Sequence, residues 1–251
     1  MVELLVAMTI GLLLTVAVAQ LFIGSRRTYA TTDDLSRMQE NMRYAHALLT
    51  RNVRLISYMS SPNRYPVDTD GFSGVFTGAN IALQGTNGAG TASDSFTIKF
   101  QGSDNAVGAP DGAIIDCLGN AIGAATIVTN IFTIANDATT NSPGLFCQSD
   151  QNAGAAAVLV VPNIENMQVL YGEDTSGDSN ADRYVPANLV SNANQVVSMR
   201  IALLFRSANV NVRPTIDTTA YTLNGVALAP FNTTHIRRVM TVTISLRNRV
   251  P

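Results

Sequence analysis

Two hydrophobic patterns follow one another without a break at the start of the chain. From Val2 to Gly24 most positions are apolar, Glu3 is the one charge, and the run ends at Arg26-Arg27. At ~20 residues it is long enough to cross a bilayer as a helix. Beyond it, Leu35, Met38, Met42, Ala45, Leu49, Val53 and Ile56 recur at spacings of three and four. Between them stand Asp33, Asp34, Arg37, Glu40, Arg43, Arg51 and Arg54. This is the stripe of an amphipathic helix. No proline occurs before Pro62, so the spacing predicts one helix from about Val2 to about Tyr58, ~85 Å long. Ser60-Ser61-Pro62-Asn63 is the predicted stop.

The pattern then changes period. From Tyr65 to about Asp94 the chain is rich in Gly, Asn, Thr and Asp, which predicts loops with one short helix or strand at Ile81-Ala82-Leu83. Ser95–Phe100 alternates cleanly and predicts a strand. Thr126–Ala135 predicts one or two more, followed by strands at Gly144–Cys147, Ala156–Pro162 and Ile164–Tyr171. Long strands are expected over Val196–Arg206 and Arg237–Leu246. A helix followed only by strands is an α+β order. The expected architecture is a long helix packed on an antiparallel β-sheet head, divided as residues 1–25 (membrane or bundle helix), 26–58 (amphipathic continuation) and 59–251 (β-rich head).

Composition supports this picture. The chain has 251 residues, 46% hydrophobic and 14% charged, well below the ~25% charge of ordinary soluble domains. About 190 residues beyond the helix suffice for one domain with its own core. The apolar run has no basic segment before it and no small-x-small cleavage pattern after it, so it reads as a retained helix rather than a signal peptide.

Charge is unevenly spread. Between Pro66 and Asp182 the only basic residue is Lys99. From Arg183 onward the only acid is Asp217, while Arg183, Arg200, Arg206, Arg213, Arg237, Arg238, Arg247 and Arg249 accumulate. Such asymmetry favours head-to-tail contacts with dissimilar neighbours. Nucleic-acid binding is disfavoured, because no aromatics are interleaved with the arginines. Cys117 and Cys147 are the two cysteines, and an even count in an exported domain favours a disulfide. Two buried thiols are the alternative; a metal pair is poorly supported, with His46 and His235 remote in sequence.

Other candidate chemistry is sparse. Asp174, Ser176, Asp178, Asn180 and Asp182 place oxygens at alternate positions and could wrap a hard cation such as Ca²⁺. Ser179 and Val185, however, stand where an EF-hand needs glycine and glutamate, and a polar hairpin turn is the plainer reading. No other cofactor is expected. No nucleophile–base–orienter set, P-loop or HExxH exists, so no enzyme activity is expected. His46 reads as a packing or surface residue.

Val2-Glu3-Leu4-Leu5-Val6-Ala7-Met8-Thr9-Ile10-Gly11-Leu12 resembles the N-terminal methylation segment of type IV pilins and pseudopilins. Asn130–Asp137, Gly144–Cys147, Asn166–Asp174, Asp182–Val185 and Leu246–Arg249 resemble the PilW-like minor pilins within that superfamily. In that family the glutamate stands four residues beyond the first mature residue, and cleavage follows a glycine. The resemblance therefore implies that the leader, the glycine and the first two mature residues precede Met1. It also implies storage in the bacterial inner membrane, extraction by the pilus assembly machinery, and packing of the helix with those of other minor and major pilins in an extracellular filament. Glu3 would set axial register by meeting the N-terminal amine of a neighbour; a solvated interfacial carboxylate is the alternative. Many major pilins carry a proline in the membrane half of the helix, and this chain has none. A minor pilin that initiates assembly and sits near the tip stands beside three rivals: a J-like type II secretion pseudopilin, a membrane-anchored adhesive or binding domain, and a main shaft subunit.

Overall fold

The computed structural model describes residues 2–59 and 82–248, except 153, 155, 193, 194, 211 and 214. One helix, α1, runs unbroken over Val2–Arg54, about 80 Å at 1.5 Å per residue. It ends four residues before the expected Tyr58. The reason is tertiary: Ser57 turns left-handed (φ 61) and its N–H donates to the Lys99 carbonyl. The side-chain amide of Asn248 donates to the carbonyls of Arg54 and Ile56, both at 3.0 Å. These oxygens have no partner inside the helix, so the far end of the chain caps it. The expected stop at Ser60–Asn63 lies outside the described residues, as does Ile81.

Among the described residues the head holds a five-stranded and a four-stranded antiparallel sheet and a separate two-stranded hairpin, instead of one sheet. The first is a meander of β1 (Leu83–Thr86), β2 (Ser95–Gln101), β3 (Ile127–Asn136), β4 (Pro143–Ser149) and β5 (Val158–Pro162), paired in that order. The segment Thr126–Ala135 thus forms a single strand. Alternation places Phe96, Ile98 and Phe100 inward from β2, and Val128 and Phe132 from β3. Phe96 and Phe132 are register partners and stack at 5.0 Å.

Asn163 alone separates β5 from β6 (Ile164–Glu173), and its positive φ of 64° makes the corner between sheets. The second sheet continues with β7 (Arg183–Val185), β8 (Val196–Arg206) and β11 (Arg237–Ser245), in the order β11-β8-β6-β7. Between β8 and β11 the chain makes a hairpin of β9 (Tyr221–Leu223) and β10 (Val226–Leu228). Its turn is Asn224-Gly225, with φ of 47° and 91°, the two-residue turn that requires positive φ twice. Sequence reading missed this hairpin although that dipeptide is its strongest local signal.

The stripe on α1 closes the core. Met38, Ala45, Leu49, Val53 and the following Ile56 are buried, and the helix lies against β5, β8 and β11. They join Ile98, Phe132, Leu145, Val169, Ile201 and Val242 in one continuous cluster spanning both sheets. A smaller cluster of Ala202, Leu204, Leu223 and Leu228 fills the opposite face of β8 beneath the hairpin. This explains why β8 is apolar at Ala202 and Leu204 as well as on its core face: the hairpin covers them. Cys117 and Cys147 form a disulfide with Cα atoms 6.4 Å apart, tying the loop before β3 to β4. Closing that loop contributes on the order of 3–4 kcal/mol in the chain-entropy picture.

Candidate functional site

The feature that most sets this fold apart from an ordinary α+β domain is the first half of α1. Every described side chain from Val2 to Ala30 is exposed, although the segment is the most apolar in the chain. Leu4, Met8, Leu12, Leu21 and Phe22 each keep more than half of their surface open. The polar side chains on it are quieted locally: Thr9 and Thr15 donate to the carbonyls of Val6 and Leu12, both at 2.8 Å. Arg26, at the end of the apolar span, folds back over the Phe22 ring at 4.7 Å. Glu3 stands in the first turn, where the unpaired N–H groups and helix dipole favour a negative charge. Such a rod is suited to lipid or to a bundle of similar helices, and to little else.

The oxygen-rich loop between β6 and β7 is a self-satisfied turn. Asp174 accepts from the N–H groups of Gly177 (2.6 Å) and Ser179 (2.8 Å). Burial opposes its charge, yet these hydrogen bonds hold its carboxyl below the usual range. Asp182 accepts from the hydroxyl and N–H of Thr175, both at 2.7 Å, and is likewise lowered. Asp178 accepts from the Asn180 N–H at 2.9 Å. The carboxylates are spent on the loop's own backbone, and among the described residues no group of three or more His, Cys, Asp or Glu side chains gathers in a metal-ligating cluster.

The arginine-rich C-terminal stretch does not form one basic face. Arg183 pairs at 2.8 Å with the buried Glu173, which also accepts from Ser191 and Asn192. Arg237 grips Glu165 with two hydrogen bonds, at 2.6 and 2.9 Å, and lies 4.3 Å over the Phe231 ring. Arg206 approaches the same Glu165 at 3.6 Å. Arg213 pairs with Asp217 at 2.8 Å. Burial works against the Asp217 charge, but Tyr221, Thr219 and Arg213 together bring its carboxyl down to about 2. Burial and the bond to Asp217 push the Tyr221 hydroxyl up to about 12. His235 is buried beside Arg206 and Arg237; burial first, then those charges, depress its pKa. The contrast of an acidic middle and a basic end in sequence is thus partly neutralised inside the head, where Glu173 meets Arg183 and Glu165 meets Arg206 and Arg237. His46 is exposed on α1.

Sequence reading also missed the polar residues that bind the helix to the head. Asn52 accepts from the side-chain amide of Asn130 at 3.1 Å. Arg51 donates to the Asp116 carbonyl at 3.1 Å, and the Asp116 side chain accepts from Ser149, Leu118 and Asn120 beside the disulfide. Asn209 donates to Asp34 at 2.9 Å. No local signal marks these pairs, because their partners lie far along the chain.

No curated protein matches the chain. Among solved structures it is similar to the type IV-like pilin TTHA1219 from Thermus thermophilus, with 15% identity and a TM-score of 0.46 over 86% of this chain and 97% of that one. Residues 131–248 match the family described as type IV pilus-assembly protein W, PilW. That stretch runs from within β3, through the whole second sheet, to the amide that caps α1. From Ile131 to Asn248 the chain is therefore similar to the type IV pilus-assembly protein W family.

Proposed function

We propose that this chain is a minor pilin of a type IV pilus, held in the bacterial inner membrane by the first half of α1 and then moved into the filament. It takes part in initiating assembly and sits near the tip. The observation that carries this reading is the division of α1: an exposed, all-round apolar half with Glu3 at its start, and a second half sealed into the head. A helix with that first half is stable in lipid and in a bundle alike, so a subunit can pass from one to the other without refolding. In a bundle of such helices Glu3 is the one acid in an apolar wall. Pairing it with a neighbour's N-terminal amine offsets its desolvation at a single axial position and so sets register. The activity is assembly, and no catalytic step is assigned.

Glu3→Ala tests this reading. Loss of one carboxylate makes the segment more apolar, so the variant is expected to remain in the membrane fraction while its recovery in sheared filaments falls severalfold. Recovery at the wild-type level would remove the register role. Quantitative mass spectrometry of purified filaments should find the chain far below the main subunit; equal or greater abundance would make it a shaft subunit.

A further inference from the structure

Arg183, Arg206, Arg213 and Arg237 of the head are held by internal acids and Arg200 by the Tyr184 ring and Thr243. Arg238 is exposed elsewhere on β11, and Arg247 stands beside two arginines of α1. Arg54 and Arg247 are exposed and, among the described residues, have no carboxylate partner. Arg51 is exposed and donates to a backbone carbonyl, that of Asp116. Arg54 ends the ridge His46–Thr50–Arg54, whose members follow at four-residue spacing on one face of α1, and Arg247 and Arg51 flank it on either side. A groove of about 200 Å³ lies on one side of the ridge, bounded by Arg54, Arg247, Thr243 and Ser245. A second, of about 500 Å³, lies on the other side, bounded by Arg51, Arg54, Ala113 and Ile115. Among the described residues no acidic side chain lines either groove. The Thr50 hydroxyl, on the ridge between them, is buried without a hydrogen-bond partner.

These cations are not needed to finish the helix, since Asn248 already serves the carbonyls of Arg54 and Ile56. Nor can they serve a bilayer headgroup while the apolar half spans it: Arg54 is 28 residues beyond Arg26, about 40 Å along the axis. We infer that the face formed by Arg51, Arg54 and Arg247, with the Thr50 hydroxyl between its two grooves, is where a neighbouring pilin subunit seats an acidic segment of its head. This deepens the minor-pilin reading and rests on it. Two grooves either side of one ridge suit a carboxylate-bearing loop straddling α1, with guanidinium groups to pair its acids in fork geometry. Charge complementarity of this kind selects the partner and steers docking. It replaces the diffuse charge asymmetry of the sequence with one defined surface.

The test uses the full-length protein in cells that make pili. In the double variant Arg54→Glu, Arg247→Glu both changed side chains are exposed, so the melting temperature of the head should stay at the wild-type value. Its recovery in sheared filaments should fall about ten-fold, equivalent to about 1.4 kcal/mol, while Arg54→Lys, Arg247→Lys, which keeps the charge without the fork, should fall by less. A photo-crosslinking residue replacing His46 should capture an Asp- or Glu-bearing head peptide of a different pilin, and that capture should disappear in the Glu double variant. Wild-type chain absent from filaments altogether would overturn the minor-pilin reading. Wild-type chain present, with the Glu double variant incorporated equally well, would overturn the docking face alone. Crosslinks confined to a second copy of this chain would also overturn it, as would a short DNA duplex that binds wild type and not the double variant.

Discussion

The two halves of α1 are one continuous helix in two different physical situations. From Val2 to Ala30 no described residue is buried, and the helix is defined by composition: almost any apolar residue would serve almost anywhere. From Thr31 to Arg54 one face of the helix is packed, and its positions have their own neighbours. Met38, Ala45, Leu49 and Val53 face the sheets, Asn52 meets Asn130, and Asp34 meets Asn209. The first half is tolerant in sequence and demanding in environment. The second half is the reverse: its environment is built into the chain, and single atoms matter. A subunit that must change solvent without unfolding needs this separation, because the part that moves between environments is not the part that holds the fold.

The largest expected effect breaks the comparison most directly. Leu49→Ala, in the core, should cost the head about 2–5 kcal/mol, whereas Leu12→Ala, on the exposed half, should leave head stability unchanged. Denaturant unfolding of the full-length protein in detergent, followed by a head-specific probe, measures both. Equal losses at the two positions would mean that the first half also supports the head.

Acid should act on the second region alone. Asp217 has its carboxyl lowered from 3.8 to about 2 in the fold. A lowered carboxyl adds stability that is complete above the unfolded value and is lost as pH falls through the folded one. His235, with its pKa depressed below 6.5, pushes the same way, because acid must charge it more readily in the unfolded chain. Asp94, raised by burial, works in the opposite sense. The head should therefore weaken gradually below about pH 6.5 and more steeply from about pH 4 toward pH 2, and Asp217→Asn should flatten the steep part. An unchanged acid profile in that variant would locate the sensitivity elsewhere.

A smaller effect sharpens where the second region ends. Asn248→Ala removes two hydrogen bonds to the last carbonyls of α1, and about 1 kcal/mol of stability should go with them. Hydrogen exchange should show lost protection in the last turn and none in the first half. Smallest of all is the response to calcium. Asp174 and Asp182 already accept hydrogen bonds from their own loop, so excess Ca²⁺ should leave the melting temperature in place. A rise that vanishes in Asp178→Ala would show that the loop opens to take the ion.

What could be read from the chain followed from periodicity. The all-apolar run and the three–four stripe gave α1 within four residues of its end, alternation gave β2 and β11 nearly to the residue, and the long β-prone run over Val196–Arg206 gave β8. The Asn224-Gly225 turn was equally legible and was overlooked. The division of the strands into two sheets was not legible, because it depends on a one-residue corner at Asn163 that has no distinctive local pattern. The internal use of the arginines was hidden for a related reason: Arg237 and Glu165 are 72 residues apart and meet only because β11 and β6 both pair with β8.

By itself, then, the sequence determined the quantities that depend on neighbours a few residues away: the helix, its exposed apolar half, Glu3 at its start, and the strand faces. These are set by local backbone geometry and by the transfer of apolar surface from water, both of which act at short range along the chain. The tertiary structure alone decided where α1 stops, which cations are neutralised, and which remain on the face of Arg51, Arg54 and Arg247. Those outcomes depend on charges and hydrogen-bonding groups brought together from distant positions, and electrostatic pairing acts through space, with no regard to separation in sequence.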